Sequence, residues 1–251
     1  MANVPQDLGR YYAQTYYQIP PFEKLKKIAR ADNYKIEIVK KFIKTGSLLE
    51  IGSAFGVFAY QAKTAGFKVD AIEMDQRCCE HLRKVIGVNA VKSDRPDKAV
   101  EAMEPHDVIA LWHVLEHLPN PWECLAAMAR NIKPGGILVI ATPNPEAFQF
   151  RVMGVRWPHI DAPRHIHLIP NKLLIEYLER FNFQPALLTA NDKDARSWNR
   201  FGWQRYLMNR FSNKWLQGCS FILGYVIATF MSFFEREKGS AYTIIFRKKE
   251  R

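Results

Sequence analysis

Histidine and glutamate side chains occur in two short segments whose spacing suits proton transfer or metal binding. His113-x-x-Glu116-His117 is the first segment, and His165-x-His167 lies further along the chain. Imidazole changes its protonation near neutral pH, and it is a common ligand of transition metals. We therefore interpret His113, His117 and His165 as candidate catalytic residues that orient or deprotonate a substrate. As a metal site, the region offers His113, Glu116, His117 and His165; the structural alternative is that Glu116 and His117 cap a turn.

The string His-x-x-Glu-His is also found in inverted zinc peptidases, which place both histidines on one face of a continuous helix. In this chain the apolar residues before His113 indicate a strand, and Pro119 and Pro121 interrupt the segment that follows. A continuous helix does not fit this pattern. The sequence therefore argues against a peptidase.

A turn rich in small residues precedes these groups. Residues 47–58 predict a buried strand that ends in a tight turn and leads into a helix near Val57. Gly52 and Gly56 permit the backbone angles and the close ligand approach that a side chain blocks. The spacing differs from that of pyrophosphate-binding turns, and the carboxylate of Glu50 suits a cation better than a phosphate. We expect the turn to bind S-adenosylmethionine, which carries an ammonium and a sulfonium group.

Two acidic residues follow at the ends of the next predicted strands. Residues 67–72 are predicted as a strand that ends at Glu73. Nucleotide sites place a carboxylate for the ribose hydroxyls about twenty residues after the glycine turn, and Glu73 lies at about that distance. Asp94 follows a short strand predicted at 89–93, and we expect it to take the adenine amino group. The predicted cofactor-binding residues are Glu50, Gly52, Ala54, Gly56, Glu73, Met74, Asp94 and Trp112.

The elements that position these groups alternate between strands and helices. This alternation predicts a parallel sheet whose two faces are covered by helices. Between the fourth and fifth strands, Asn120 is expected to cap a helix that has Pro121 in its first turn. The later strands are predicted at 107–112, 137–141, 185–189 and 241–246, the last of them as an edge strand, and two further helices at 76–86 and 171–181.

Five segments occur in a fixed order along the chain, at residues 49–56, 71–73, 113–119, 132–139 and 141–144. Together they resemble the class I S-adenosylmethionine-dependent methyltransferases, in the branch of ubiquinone-biosynthesis O-methyltransferases and bacterial cell-surface polysaccharide methyltransferases. The resemblance implies a doubly wound α/β fold with a mostly parallel seven-stranded sheet. N-terminal helices and a hydrophobic helical insertion before the last strand complete the expected architecture. Ala54 departs from the family pattern, which usually has glycine there.

The resemblance also implies a reaction and a class of acceptor. Methyltransferases that act on amino groups of adenine and glutamine carry an Asn/Asp-Pro-Pro-aromatic segment where this chain has Leu-Trp-His-Val at residues 111–114. We therefore expect methyl transfer to an oxygen of a small or lipid-linked acceptor. Related small-RNA and ubiquinone O-methyltransferases hold a divalent ion with an acid-x-x-Glu-His segment, in which His113 replaces the first acid here. An RNA 2′-O-methyltransferase and a cofactor-binding module without turnover are the alternatives.

Length and composition fit one methyltransferase domain with two additions. Residues 1–45 are expected to form an N-terminal helical cap, residues 46–190 and 240–251 the cofactor-binding domain, and residues 191–239 a basic, aromatic and hydrophobic helical insertion. The cap contains several tyrosines, which either line the acceptor pocket or pack against the sheet edge. They are Tyr11, Tyr12, Tyr16 and Tyr17.

The insertion combines positive charge with apolar residues. Residues 196–251 contain eleven Lys and Arg against three acids, and residues 215–234 contain no charged residue. Aromatic and basic residues ahead of an apolar segment suit peripheral contact with an anionic membrane surface. We rank peripheral membrane contact first, a homodimer face or internal packing second, and a membrane span last. The +11 formal charge is concentrated beside the apolar segment, which argues against nucleic acid as the partner.

Two features predict the compartment. The four cysteines show no metal-type spacing, and the first residues lack the basic and apolar regions of a signal peptide. We therefore expect a reduced, cytoplasmic setting, with peripheral attachment to the inner membrane face.

Overall fold

A seven-stranded sheet forms the centre of the computed structural model, which describes residues 17–234 and 238–250, with residues 232–234 as backbone alone. The strands are β1 (Gly46–Ile51), β2 (Phe67–Glu73), β3 (Asn89–Lys92), β4 (His106–Trp112), β5 (Ile132–Pro143), β6 (Phe183–Thr189) and β7 (Ala241–Lys248). They lie in the order β3-β2-β1-β4-β5-β7-β6, in which β7 is antiparallel to both neighbours and the other pairs are parallel. This confirms the predicted doubly wound, mostly parallel seven-stranded sheet.

The last strand is internal, so the prediction of an edge strand at 241–246 is wrong. Tyr242 pairs with Thr142 of β5, and Ile244 pairs with Leu188 of β6. A continuous apolar run such as that of β7 is typical of a strand buried on both faces. The edge strand is β6, which contains Pro185 beside a register shift; proline cannot donate a ladder hydrogen bond and is confined to such positions.

Helices cover both faces of the sheet. They are α1 (Phe22–Ala31), α2 (Tyr34–Lys40), α3 (Val57–Thr64), α4 (Gln76–His81), α5 (Pro96–Glu101), α6 (Pro121–Asn131), α7 (Phe148–Met153), α8 (Asn171–Glu179), α9 (Lys193–Met208) and α10 (Lys214–Phe234). Helix α4 continues into one π-helical turn, Leu82–Ile86, and 3-10 turns occupy Leu115–His117, Gly154–Arg156 and Pro158–Ile160. Asn120 lies at the predicted N-cap position of α6 and Pro121 begins the helix, but within the described chain the Asn120 side chain accepts no capping hydrogen bond.

Two apolar cores lie on opposite faces of the sheet because successive strand residues point to opposite sides. Leu48 of β1 packs into the core beneath α1, α2 and α3, whereas the next residue, Leu49, packs with α6 and α8. A third, smaller cluster joins α7 to α9 and α10 around Trp157 and Trp203. The central strands β1 and β4 are therefore held from both sides, and ligands in such sheets bind beyond their carboxyl ends.

Helices α9 and α10 occupy most of the segment that the sequence predicts as an insertion. The two helices pack along each other, and in sequence they lie between β6 and β7. Within residues 17–234 and 238–250, no helix is long and apolar enough to cross a membrane. All four cysteines are free thiols.

Candidate active site

A cavity of about 170 Å³ lies at the carboxyl end of β1. The turn between β1 and α3 forms one wall, and Trp112 at the end of β4 forms another. Asp32 and Lys35, at the junction of α1 and α2, close the cavity from the N-terminal side. Of the predicted cofactor-binding residues, those that line it are Glu50, Gly52, Ala54, Gly56 and Trp112.

The turn folds around this cavity through three left-handed residues. Gly52, Ala54 and Gly56 have φ angles of +74°, +48° and +86°. A Cβ atom at Gly52 would lie 2.4 Å from Cγ2 of Val114, so both the backbone angle and the available space favour glycine there. Ala54 adopts its left-handed angle at a cost of about 1–2 kcal/mol. Its amide donates a hydrogen bond of 2.7 Å to the carboxylate of Glu73.

Glu50 is the group in this cavity best suited to a cationic ligand. Its side chain is buried, and its Oε2 atom has no hydrogen-bond partner in the described part of the chain. Burial raises the pKa of Glu50 to about 7. An ammonium group would supply the missing partner and favour the ionised carboxylate. The unpartnered oxygen and the glycine-lined turn therefore fit S-adenosylmethionine.

Glu73, Met74 and Asp94 are not among the residues that line this cavity. The Glu73 carboxylate accepts hydrogen bonds of 2.7–2.9 Å from the amides of Ala54, Met74 and Asp75, and burial raises its pKa. Glu73 thus ties the first turn to the end of β2, while the Asp75 side chain caps α4. Asp94 is exposed just beyond β3. The roles of Glu73 and Asp94 towards ribose and adenine stay predictions.

A larger cavity of about 470 Å³ lies next to the first. Trp112 lines the smaller cavity and the following residue, His113, lines the larger one, so the end of β4 separates them. The walls come from the 3-10 turn after β4, the irregular segment after β5 and the first turns of α9. The lining residues are His113, His117, Pro158, His159, Asp161, Arg164, His165, Ser197, Trp198 and Phe201.

The predicted residues His117 and His165 meet in this larger cavity, with their ring centroids 4.6 Å apart. The amide of Ile166 donates to a carbonyl of the turn after β4, which holds the two segments together. Nδ1 of His117 bonds the carbonyl of Arg164 at 3.0 Å, and Nδ1 of His165 bonds that of His159 at 2.8 Å. Because a carbonyl only accepts, each Nδ1 donates, and in the neutral ring Nε2 carries the lone pair.

Glu116 completes a group that can hold a metal ion. Glu116, His117 and His165 each have a ligating atom within 4.8 Å of the others. The fully buried Glu116 accepts a hydrogen bond from Thr142 at Oε2, whereas its Oε1 has no hydrogen-bond partner among the residues described. Burial alone would raise its pKa, but the nearby histidines, above all His113, lower it. Two imidazoles and one carboxylate fit a transition metal better than magnesium.

His113 has a different partner. Its Nε2 lies 3.0 Å from Oδ2 of Asp194, and its ring stacks on that of Trp198 with 4.1 Å between centroids. Burial lowers the pKa of His113, but Asp194 and Glu116 outweigh this effect and raise the pKa to about 9. A protonated imidazole neither accepts a proton nor ligates a metal. The structure pairs His113 with Asp194 and brings Glu116, His117 and His165 together, and the roles of His113 as base or metal ligand stay predictions.

Three functional candidates in this region were not predicted from the sequence: Asp194, Trp198 and His159. Nε2 of the buried His159 lies 2.9 Å from the Trp198 carbonyl, and burial lowers the pKa of His159 to about 3. Asp194 lies 3.6 Å from Lys35, which lines the smaller cavity, and so connects the two sites. In the sequence, Trp198 belongs to an alternation of aromatic and basic residues at 196–211. Such a pattern indicates a surface contact more readily than a cavity wall.

The tyrosines predicted to line the acceptor pocket are only partly described. Tyr11, Tyr12 and Tyr16 lie outside the described residues. Tyr17 is not among the described residues that line either cavity. Tyr34 of α2, which the sequence did not single out, contacts Trp112 edge-on with 6.3 Å between ring centroids.

Comparisons with known proteins agree with the fold. A family model described as a methyltransferase domain matches residues 23–188. The ubiquinone biosynthesis O-methyltransferase of Saccharophagus degradans is 28% identical over 127 residues, which are 48% of this chain and 54% of that protein. The chain thus spans about half the length of the curated relatives it matches.

Solved structures share the fold at low identity. A SAM-dependent methyltransferase from Archaeoglobus fulgidus has a TM-score of 0.59 at 19% identity, over 89% of this chain and 94% of that one. The phosphoethanolamine N-methyltransferase 2 of Haemonchus contortus, solved in complex with S-adenosyl-L-methionine, has a TM-score of 0.57 at 16% identity, over 87% of this chain and 53% of that one.

The family model matches more than half of the chain and includes the glycine turn and the His-x-x-Glu-His segment. This chain therefore belongs to the class I S-adenosylmethionine-dependent methyltransferases. The matched range ends before α9, so Asp194 and Trp198 of the larger cavity lie outside it.

Proposed function

We propose that this chain transfers a methyl group from S-adenosylmethionine to an oxygen of a small or lipid-linked acceptor. The proposal rests on one observation: two consecutive residues, Trp112 and His113, line two different cavities. The smaller cavity contains Glu50 with its unpartnered oxygen, and the larger contains the imidazoles of His117 and His165. A cation site therefore adjoins a site that can accept a proton.

S-adenosylmethionine supplies an electrophilic methyl group, and its transfer to a hydroxyl forms a C–O bond, breaks a C–S bond and releases the hydroxyl proton. The chain must then hold the acceptor oxygen in line and take that proton. His117 suits the second task because burial lowers its pKa and keeps the ring neutral. The proton passes to Nε2 of His117 or His165 and then to solvent.

The lining of the larger cavity supports an acceptor with apolar or aromatic character. Pro158, Trp198 and Phe201 provide apolar surface around the histidines. The relative from Saccharophagus degradans is named as an O-methyltransferase, which favours oxygen over nitrogen. The fold alone does not make this choice, because the Haemonchus contortus neighbour is an N-methyltransferase.

Methyl transfer by the full chain from isotopically labelled S-adenosylmethionine tests the proposal. Phenols, catechols and a bacterial lipid extract are supplied separately, and mass spectrometry identifies the methylated atom. We expect transfer to a hydroxyl oxygen in at least one of these mixtures. Methylation confined to nitrogen, or cofactor binding without transfer to any of them, would contradict the proposal.

A divalent ion held by Glu116, His117 and His165 is a second candidate arrangement for the same reaction. The buried Oε1 of Glu116 favours it, since the atom has only a long ion pair of 3.6 Å to Nδ1 of His113 and no hydrogen bond from a described residue. Each of the three side chains is also oriented by another hydrogen bond, as is typical of metal ligands. A bound ion would supply positive charge that lowers the pKa of an acceptor hydroxyl.

Metal analysis before and after chelation distinguishes the two arrangements. If the ion is present, His117→Ala is expected to lose it and His167→Ala to keep it, because His167 lies in the same segment but outside the three-residue group. Full activity of the chelated protein would exclude the ion and leave His117 or His165 as the base.

A further inference from the structure

Helix α10 contacts the rest of the described protein through a narrow stripe of small residues. Ser220, Gly224 and Ala228 are buried at intervals of four, on the side that faces α9. A Cβ atom at Gly224 would lie 2.7 Å from the backbone of Gln204, so the two helices approach closely there. This packing uses one side of α10 and leaves most of its large apolar side chains outside.

The opposite side of α10 is apolar and open. Trp215, Ile222 and Val226 lie within about 20° of the direction opposite Gly224 at 100° per residue. Their exposed fractions are 73%, 65% and 55%. Monomeric proteins rarely leave large contiguous apolar patches uncovered, and such patches mark sites of interaction.

Basic residues are concentrated in the same two helices. Residues 193–234 contain six Lys or Arg and one acid. Arg200, Arg205, Arg210 and Lys214 are exposed, and none of them forms an ion pair with another described residue. The guanidinium of Arg200 stacks on the ring of Tyr225, which places a positive charge directly against α10.

We infer that the α9–α10 hairpin, residues 193–234, is a docking surface for anionic lipid. An anionic bilayer surface offers an apolar layer for Trp215, Ile222 and Val226 and negative headgroups for the surrounding arginines. A second copy of the chain fits less well, because a symmetric contact through this face would bring two basic surfaces together. The inference goes beyond the methyl-transfer proposal and does not depend on the acceptor.

Helix α9 of this hairpin also contributes to the larger cavity. The first turns of α9 line that cavity through Ser197, Trp198 and Phe201, and Phe201 itself is exposed. Arg200, the residue before Phe201, contacts Tyr225 of α10. The segment proposed to contact lipid therefore also forms part of the proposed acceptor site.

Sedimentation of the full chain with vesicles tests the inference. Phosphatidylcholine vesicles are compared with vesicles of phosphatidylcholine and phosphatidylglycerol at low and high salt. We expect the protein to sediment only with the anionic vesicles. It should be partly released from them as ionic strength rises, because salt screens the basic residues. The emission of the exposed Trp215 is expected to shift to the blue on binding, and Trp215→Phe is expected to remove that shift.

Matched variants separate the apolar and the charged contributions. The apolar variant is Trp215→Ser, Ile222→Ser, Val226→Ser, and its control replaces exposed apolar residues elsewhere: Val85→Ser, Val155→Ser, Leu188→Ser. The charge variant is Arg200→Gln, Arg205→Gln, Arg210→Gln, and its control is Lys24→Gln, Lys44→Gln, Lys68→Gln. We expect each hairpin variant to weaken vesicle binding at least about tenfold and each control to leave it within about twofold.

S-adenosylmethionine binding by each variant reports on folding, since none of these residues lines the smaller cavity. The inference is overturned if the unaltered chain ignores anionic vesicles, or if the hairpin variants and their controls sediment alike. It is also overturned if light scattering shows a dimer that the apolar variant converts to a monomer, with no difference in vesicle binding. In that case the open side of α10 is an interface between two copies.

Discussion

The two cavities are built from different kinds of structure. The smaller cavity is formed mainly by one continuous turn, whose shape depends on the left-handed backbone at Gly52 and Gly56. The larger cavity is formed by side chains from three segments that are distant in sequence, including His117, His165 and Trp198. The first therefore follows from local sequence, and the second follows from tertiary contacts. This difference allows cofactor binding and acceptor choice to change independently.

The range of the family match follows the same division. It includes the whole turn around the smaller cavity and ends before α9, which supplies Trp198 and Phe201 to the larger one. We therefore expect α9 to contribute more to acceptor specificity than to cofactor affinity. Ligand specificity in folds of this kind depends on such added segments rather than on the shared sheet.

His117→Ala is expected to produce the largest effect and to act on one cavity only. Loss of a general base typically costs 10²–10⁴-fold in turnover, so we expect kcat to fall by about that factor. The dissociation constant of S-adenosylmethionine should not change, because His117 does not line the smaller cavity. Single-turnover kinetics and calorimetry measure the two quantities, with His167→Ala as control. A parallel loss of cofactor affinity would show that the cavities are not separable.

Gly52→Ala is expected to act on the smaller cavity with the next largest effect. Its added methyl group would lie 2.4 Å from Val114, and overpacking of this kind costs about 1–3 kcal/mol, which corresponds to up to about 100-fold in affinity. Gly66→Ala is the matched control: Gly66 has φ of +94°, but its added Cβ would meet no atom within 4 Å. Calorimetry should show weaker cofactor binding only in Gly52→Ala. Equal losses in the two variants would assign the effect to backbone strain alone.

The same division explains what the sequence could predict. Periodicity and turn residues located all seven strands along the chain, although β5 is longer than predicted, because these signals are local. The position of β7 inside the sheet depends on pairing with β5 and β6. Glu50 was predicted as a cofactor residue because it belongs to a compact motif. Asp194, which pairs with His113, is far from it in sequence and has no motif of its own. The sequence therefore did not reveal that His113 pairs with an acid, and its role stays a prediction.

Glu50→Gln is expected to change the pH dependence of the smaller cavity. Binding needs the carboxylate, and the pKa of Glu50 is raised to about 7, so S-adenosylmethionine affinity should fall about tenfold per pH unit below that value. Glutamine should remove this dependence and weaken binding at about pH 8 by at least about tenfold, which corresponds to the lower end of the value of a charged hydrogen bond. Calorimetry between about pH 5.5 and pH 8.5 measures both effects. A steep pH dependence that persists in the variant would exclude Glu50 as its source.

The stability of the cofactor-free protein provides an independent test of the raised pKa of Glu50. Because the folded pKa of Glu50 lies above its unfolded value of about 4.3, the neutral form stabilises the fold below that pH. This contribution is lost as the pH rises towards about 7. The thermal unfolding temperature of the unaltered chain should therefore fall by this contribution as the pH rises. In Glu50→Gln it should fall less over the same pH range.

Asp94→Ala tests the part of the cofactor site that lies outside the smaller cavity, and we expect it to have the smallest effect. Asp94 is exposed beyond β3, so a hydrogen bond to the adenine amino group would contribute only about 0.5–1 kcal/mol, or about two- to fivefold in affinity. S-inosylhomocysteine has a carbonyl oxygen in place of that amino group. If the contact exists, the unaltered chain should bind S-adenosylhomocysteine more tightly than the inosyl compound, and Asp94→Ala should bind the two more equally. Glu104→Ala, an exposed acid before the amino end of β4, should keep the original preference. Undiminished discrimination in Asp94→Ala would assign adenine recognition to another group, and local sequence would then have located the turn but not the full cofactor site.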